Sequence, residues 1–76
     1  MYHQIMKLVI VGVGYVGLVT GLSLAKLGHK ISFIDTDKEK INSLKHGRAP
    51  FVETKIDDYL LNSEIQQNVE FFDNYK

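Results

Sequence analysis

Three glycines near the start of the chain have the spacing of a loop that binds an anionic group. Gly12, Gly14 and Gly17 form the pattern G-x-G-x-x-G between two apolar stretches. In such a loop the first glycine allows a tight turn, the second lets a ligand approach the backbone, and the third brings a helix close to a sheet. The N–H groups and the positive dipole end of that helix can then hold a diphosphate without a basic side chain. The predicted chemistry is therefore diphosphate binding.

An acidic residue follows at the distance expected of a ribose ligand. Asp35 comes after the second apolar run, near the spacing of roughly 20 residues that separates the two features in dinucleotide-binding proteins. Its carboxylate would accept hydrogen bonds from the adenosine ribose and would repel a 2′-phosphate, so we expect NAD rather than NADP. A second interpretation is that Asp35 caps a helix, because Thr36 and Asp37 compete for the same backbone donors.

The elements that position these residues follow from the apolar pattern. Lys7–Val11 is a β-branched run, typical of a strand buried on both faces of a parallel sheet. In Tyr15–Leu27 the only polar positions are three residues apart, at Thr20, Ser23 and Lys26. This narrow polar stripe predicts a largely buried helix, which Gly28 ends. Lys30–Ile34 predicts a second strand. Strand, helix and strand together form a βαβ unit with a right-handed crossover.

The rest of the chain predicts two further helices and a third strand. Capping-box patterns begin at Thr36 and Thr54, so helices are expected to start near Asp37 and near Thr54. Asn62–Asn68 is polar and is expected to be a frayed helix end or a loop, whereas Val69–Phe72 is typical of a strand. The predicted fold class is α/β: a Rossmann-like βαβ arrangement with strand order 3-2-1, the truncated first half of a doubly wound parallel sheet.

Composition excludes several other kinds of function. The chain has 76 residues, is 45% hydrophobic and carries nine basic and nine acidic residues, so it is one small globular domain with no charge-based case for nucleic acid or an anionic membrane. With no cysteine and three scattered histidines, we expect no metal site and no thiol nucleophile. Residues 8–25 are uncharged, but their glycines are too dense for a membrane helix and no signal-peptide cleavage site follows. We therefore expect a cytoplasmic protein.

Four segments of the chain resemble the nucleotide-sugar 6-dehydrogenases, and most of all the members that oxidise UDP-glucose. They are Gly12–Gly21, Lys26–His29, Asp35–Asp37 and Gly47–Glu53. The run Gly-Tyr-Val-Gly-Leu within the first segment is far more specific than glycine spacing alone. The sequence departs from the family at Thr54, where Pro-Gly-Leu is usual, so the role of the Pro50–Glu53 loop stays open.

The resemblance implies an enzyme that oxidises the C6 hydroxyl of a nucleotide sugar to a carboxylate with two molecules of NAD. It implies cofactor-binding roles for one set of residues: Gly12, Gly14, Tyr15, Val16, Gly17, Asp35 and Lys40. In this assignment Lys40 reaches the ribose beside Asp35. The alternative is that Lys40 is a solvated lysine on the surface of a helix.

The resemblance also implies that most of the enzyme lies elsewhere. The family's catalytic cysteine, lysine and acids have no counterparts here, so we expect no catalytic residue and no dehydrogenase activity in this chain alone. We expect residues 1–76 to be the N-terminal part of a Rossmann domain, with the remainder of the parent enzyme absent. They would bind the adenosine half of NAD, and the nucleotide sugar would bind only the intact parent. The first strand would then be an open edge, which predicts a homodimer through that strand, by edge-to-edge strand addition or by exchange of an element.

Three alternatives stay open from the sequence. The chain could come from another NAD-dependent dehydrogenase with the same start, such as a hydroxy-acid or prephenate-type enzyme. It could be a regulatory module that senses NAD or ATP without catalysis, or the complete product of its gene, acting only as a binding or interaction protein.

Overall fold

Three parallel strands and four helices make up residues 4–49 and 54–74, the part of the chain that the computed structural model describes. The elements in chain order are β1 (Lys7–Val11), α1 (Tyr15–Lys26), β2 (Lys30–Ile34), α2 (Lys38–Lys45), α3 (Thr54–Leu61), α4 (Ser63–Gln66) and β3 (Val69–Phe72). All three strands have the predicted bounds. They form one sheet in the order β1-β2-β3, which is the predicted 3-2-1 order read from the opposite edge. The predicted Rossmann-like fold is confirmed.

The helices all pack against one face of this sheet. Their buried residues form a single cluster with Ile31 and Phe33 of β2, and Phe33 stacks on Phe71 of β3 with the ring centroids 5.1 Å apart. Both crossovers run in the same direction across the sheet, so right-handed connections place α1 and α2 on the same side. The carboxyl ends of β1 and β2 lie side by side, next to the start of α1.

Burial of β1 on both faces was predicted and is wrong for this structure. Its residues alternate between half-buried and exposed, and Val9 and Val11 are 62% and 58% exposed. Side chains on successive strand residues point to opposite faces, and the described helices cover only one of them. The apolar composition of β1 therefore exceeds what these helices can bury.

Gly21 marks the closest approach of α1 to the sheet. A Cβ built on Gly21 would lie 2.5 Å from Cε1 of Phe33 and 2.7 Å from Cδ1 of Ile10. The close approach was predicted at Gly17, where a Cβ would lie 3.2 Å from Cγ2 of Ile10. Gly17 is thus tightly packed, but Gly21, one turn later, sets the distance between helix and sheet.

The helix ends show which capping predictions hold. Gly28, with φ +105°, follows the C-cap of α1 as predicted. The predicted cap at Thr36 is one residue too early: Asp37 is the N-cap of α2, and its carboxylate accepts a hydrogen bond from the Lys40 N–H at 3.1 Å. Thr54 begins α3 as expected, while the Pro50–Glu53 loop lies outside the described residues.

The segment expected to be a frayed end or loop contains a short helix. Asn62 caps α4 by accepting a hydrogen bond from the Ile65 N–H at 3.1 Å, and Ile65 is buried in the core. One apolar residue in a polar segment is enough here, because the cap holds the turn and the core holds its side chain. Across residues 4–49 and 54–74, none of the helices has the length and apolarity that crossing a bilayer requires.

Candidate dinucleotide-binding site

The turn from β1 into α1 depends on Gly12. Its φ of +81° lies in the left-handed region, where side chains other than glycine are strained. Its N–H donates to the carbonyl of Ile34 at 2.8 Å, which ties the end of β1 to the end of β2. The predicted tight-turn role of the first glycine is therefore seen in the backbone.

Gly14 is the N-cap of α1, and nothing in the described chain requires a glycine there. Its φ and ψ are −88° and −175°, an extended conformation open to any residue. A Cβ built on it would have no heavy atom within 4 Å. The open space above its backbone is where a ligand could approach closely, which is the role expected of the second glycine.

The N-terminus of α1 presents backbone donors that suit an anion. The helix has no acidic residue in its first turn and no side-chain cap. Its first turn is closed by the hydrogen bond from the Leu18 N–H to the Gly14 carbonyl at 2.9 Å. The N–H groups of Val16 and Gly17 come before that bond, so they have no acceptor within the helix. Val16 is 74% exposed, which leaves this end of the helix accessible.

Asp35 lies at the carboxyl end of β2, beside the glycine loop. Its Oδ1 accepts a hydrogen bond from the Asp37 N–H at 2.9 Å, and its Oδ2 accepts one from the Val13 N–H at 2.9 Å. The ammonium group of Lys40 lies 3.0 Å from the same Oδ2. The hydrogen bonds from the two backbone N–H groups, followed by the one from Lys40, lower the pKa of Asp35 to about 2. Asp35 is therefore a carboxylate at neutral pH and acts only as a hydrogen-bond acceptor.

The structure brings the predicted site residues to one edge of the sheet. The glycine loop follows β1, and Asp35 and Lys40 follow β2, so all lie at the carboxyl ends of neighbouring parallel strands, where α/β proteins bind ligands. Lys40 is ion-paired with Asp35 rather than simply solvated. Sequence reasoning missed the part played by Val13, because its contribution is a backbone N–H that no side-chain pattern reveals.

These residues have donors and acceptors suited to the adenosine diphosphate half of NAD. Backbone N–H groups at a helix N-terminus suit the diphosphate, and the Asp35 carboxylate suits the ribose hydroxyls. The open backbone at Gly14 provides the room for the diphosphate. Within the described residues, no cluster of histidine and acidic side chains could hold a metal ion.

Comparison with known proteins agrees with this geometry. Residues 6–76 match the family model of the UDP-glucose/GDP-mannose dehydrogenase family, NAD-binding domain. The UDP-glucose 6-dehydrogenase YwqF of Bacillus subtilis is 34% identical over 71 residues, which are 93% of this chain and 16% of that protein. The UDP-glucose 6-dehydrogenase of Rhizobium meliloti is 37% identical over the same shares.

A solved structure shows the same fold. The UDP-glucose dehydrogenase of the hyperthermophilic archaeon Pyrobaculum islandicum superposes with a TM-score of 0.81 and 26% identity, over 90% of this chain and 16% of that one. The chain thus spans about a sixth of the length of the proteins that it matches. On this evidence the chain belongs to the UDP-glucose/GDP-mannose dehydrogenase family, residues 6–76 belong to the NAD-binding domain of that family, and the cofactor is NAD.

Proposed function

We propose that this chain binds the adenosine diphosphate half of NAD as part of a UDP-sugar 6-dehydrogenase. The observation that carries the proposal is the open backbone at Gly14, directly before the uncapped N-terminus of α1 and beside the Asp35 carboxylate. The whole enzyme would oxidise the C6 hydroxyl of UDP-glucose to a carboxylate in two steps, each using one NAD. The names of the relatives support UDP-glucose as the sugar nucleotide.

Each residue of the site has a defined part in binding. The N–H groups of Val16 and Gly17 donate to the diphosphate, which the dipole of α1 also stabilises. Asp35 accepts hydrogen bonds from the ribose hydroxyls, and its negative charge disfavours the 2′-phosphate of NADP. When bound, the cofactor supplies the nicotinamide ring that accepts a hydride. The residues of this chain bind the opposite end of NAD, so they take no part in the hydride transfer.

The match to this family argues against the other origins left open by the sequence. A hydroxy-acid or prephenate-type dehydrogenase and a regulatory nucleotide-sensing module share the glycine loop. The family match nevertheless extends through residues 6–76, well beyond that loop. We include in the proposal that residues 1–76 are the N-terminal part of the Rossmann domain of a longer, cytoplasmic enzyme.

The proposed function predicts that ADP-ribose and NAD bind this chain with similar affinity. Both molecules contain the adenosine and the diphosphate that contact this chain, and the nicotinamide of NAD adds no further contact. AMP, which lacks the second phosphate, should bind more weakly. NADP should bind at least about tenfold more weakly than NAD, because its 2′-phosphate approaches the carboxylate of Asp35. Titrations followed by calorimetry or by amide chemical shifts would measure all four. NAD binding far more tightly than ADP-ribose would contradict a half-site.

We also propose that two copies of the chain pair through β1. The Met6 carbonyl accepts a hydrogen bond from the Lys30 N–H, and the Gly12 N–H donates to the Ile34 carbonyl, so the backbone groups of Met6 and Gly12 point towards β2. Because bonding alternates along a parallel strand, the backbone groups of Val9 point to the free edge of the sheet. An exposed apolar edge of this kind favours addition of another strand.

Replacing Val9 with lysine should abolish this pairing. Sedimentation at micromolar concentration should show a dimer for the natural sequence and a monomer for Val9→Lys, since a charged side chain on an edge strand opposes strand addition. Leu27→Lys is the matched control: it makes a similar change at another exposed apolar residue, next to the last turn of α1. A monomer for the natural sequence, or loss of the dimer in both variants, would refute pairing through β1.

A further inference from the structure

The carboxylate of Asp35 joins three parts of the site that are separate in the sequence. It accepts one hydrogen bond from Val13 in the glycine loop and one from Asp37 at the start of α2. Asp37 in turn caps α2 through the Lys40 N–H. One side chain at the end of β2 therefore connects the loop after β1 with the helix after β2.

The glycine loop has few other attachments. Gly14 donates to the Gly12 carbonyl within the loop, and the Gly12 N–H holds the loop's first residue to β2. Among the described residues, Asp35 provides the side-chain hydrogen bond to residues 12–14. The side chain of Val13 is buried, with 1% exposed, so its N–H cannot reach another acceptor unless the loop leaves the core.

We propose that Asp35 is a positioning residue for the diphosphate as well as a ligand of the ribose. Its hydrogen bond from the Val13 N–H holds the glycine loop in the conformation that presents Gly14 and the first turn of α1 to the diphosphate. The identity of the bound molecule rests on the proposed function, whereas the hydrogen bond and its effect on the loop belong to the chain without ligand.

Counting acceptor sites shows that both tasks are compatible. A carboxylate offers about four lone-pair positions, and Val13, Asp37 and Lys40 occupy three of them. Two ribose hydroxyls need two positions, so one present donor must leave. The two N–H groups are fixed by the backbone, but Lys40 has a flexible side chain. Ribose binding therefore displaces Lys40 and leaves the Val13 bond in place.

Inorganic pyrophosphate separates this role from ribose binding, because it has no ribose. If Asp35 served the ribose alone, Asp35→Ala would leave pyrophosphate affinity unchanged or increase it, since a negative charge near the anion is lost. If Asp35 positions the loop, the same variant should bind pyrophosphate at least about tenfold more weakly, the size expected for losing a hydrogen bond to a charged group. A decrease in pyrophosphate affinity is therefore expected only if Asp35 positions the loop.

The bond itself can be measured without any ligand. At neutral pH the natural sequence should show a scalar coupling across the hydrogen bond between the Val13 amide and the Asp35 carboxylate carbon. Amide hydrogen exchange at Val13 should accelerate in Asp35→Ala. It should be unchanged in Lys40→Met, which removes the ion pair but keeps the acceptor.

These experiments test the positioning role of Asp35 separately from the proposed function of the chain. Absence of the coupling in the natural sequence overturns the proposal even if Asp35→Ala fails to fold. A folded Asp35→Ala that binds pyrophosphate as well as the natural sequence also overturns it. If the natural sequence binds neither pyrophosphate nor NAD, the proposed function fails, and the coupling and the exchange rates still decide whether Asp35 holds the loop.

Discussion

Gly21→Ala is expected to lower the free energy of unfolding by about 2 kcal/mol, the balance of roughly 3 kcal/mol of overpacking against about 1 kcal/mol of gained helix propensity. The added methyl group would overlap the ring of Phe33 and the side chain of Ile10. Phe33 is fully buried and stacked on Phe71, so its ring has no space into which it can move. For a domain of this size such a loss is a large share of the total stability.

Urea unfolding followed by circular dichroism would measure this loss. Gly17→Ala is the matched control, because it makes the same change one turn earlier on the same helix. Its methyl group would meet Cγ2 of Ile10 at 3.2 Å, so a small shift of one side chain would accommodate it. We expect Gly17→Ala to stay within about 1 kcal/mol of the natural sequence, since the gain in helix propensity offsets this strain. If Gly21→Ala were as stable as Gly17→Ala, Gly21 would not set the helix-to-sheet distance.

Gly14→Ser is expected to weaken ADP-ribose and NAD binding by about tenfold or more, the size of losing a hydrogen bond to a charged group. The extended conformation of Gly14 suits serine, and serine is a preferred N-cap residue. Its hydroxyl would accept a hydrogen bond from the N–H of Val16 or Gly17, which are the donors assigned to the diphosphate. The side chain would also enter the open space above the Gly14 backbone. The variant should be as stable as the natural sequence or more stable by a few tenths of a kcal/mol.

Titration with ADP-ribose and urea unfolding of the same sample would test both halves of this prediction. Thr20→Ser, on the exposed side of α1, is a control in which neither the affinity nor the stability should change. If Gly14→Ser kept the natural affinity, the N-terminus of α1 would not be the diphosphate site, and the proposed function would lose its main support.

The two glycines therefore separate stability from binding. A Cβ added at Gly21 would overlap other side chains of the chain, whereas a Cβ added at Gly14 would meet no heavy atom of the described residues within 4 Å. Gly21→Ala should lower stability without a specific loss of binding, and Gly14→Ser should weaken binding without a loss of stability. Together these results would show that one short segment of sequence serves two physical purposes.

The sequence by itself determined the strands, the first helix and the glycine loop. These features depend on neighbouring residues: the β-branched runs of β1 and β2, the positive φ available to Gly12 and Gly28, and the polar stripe along α1. Local patterns of this kind are legible in one chain because their physical cause lies within a few residues.

Contacts between distant residues were decided only by the tertiary structure. The hydrogen bond between Asp35 and the Val13 N–H joins residues that are 22 apart in the sequence. A Cβ at Gly21 would overlap Ile10 of β1 and Phe33 of β2, the strands before and after its helix. The uncovered face of β1 depends likewise on where all the helices pack. Such contacts follow from the packing of whole elements. Residue type shows that Asp35 can accept hydrogen bonds and that Gly21 can allow a close approach, but only the folded chain determines their partners.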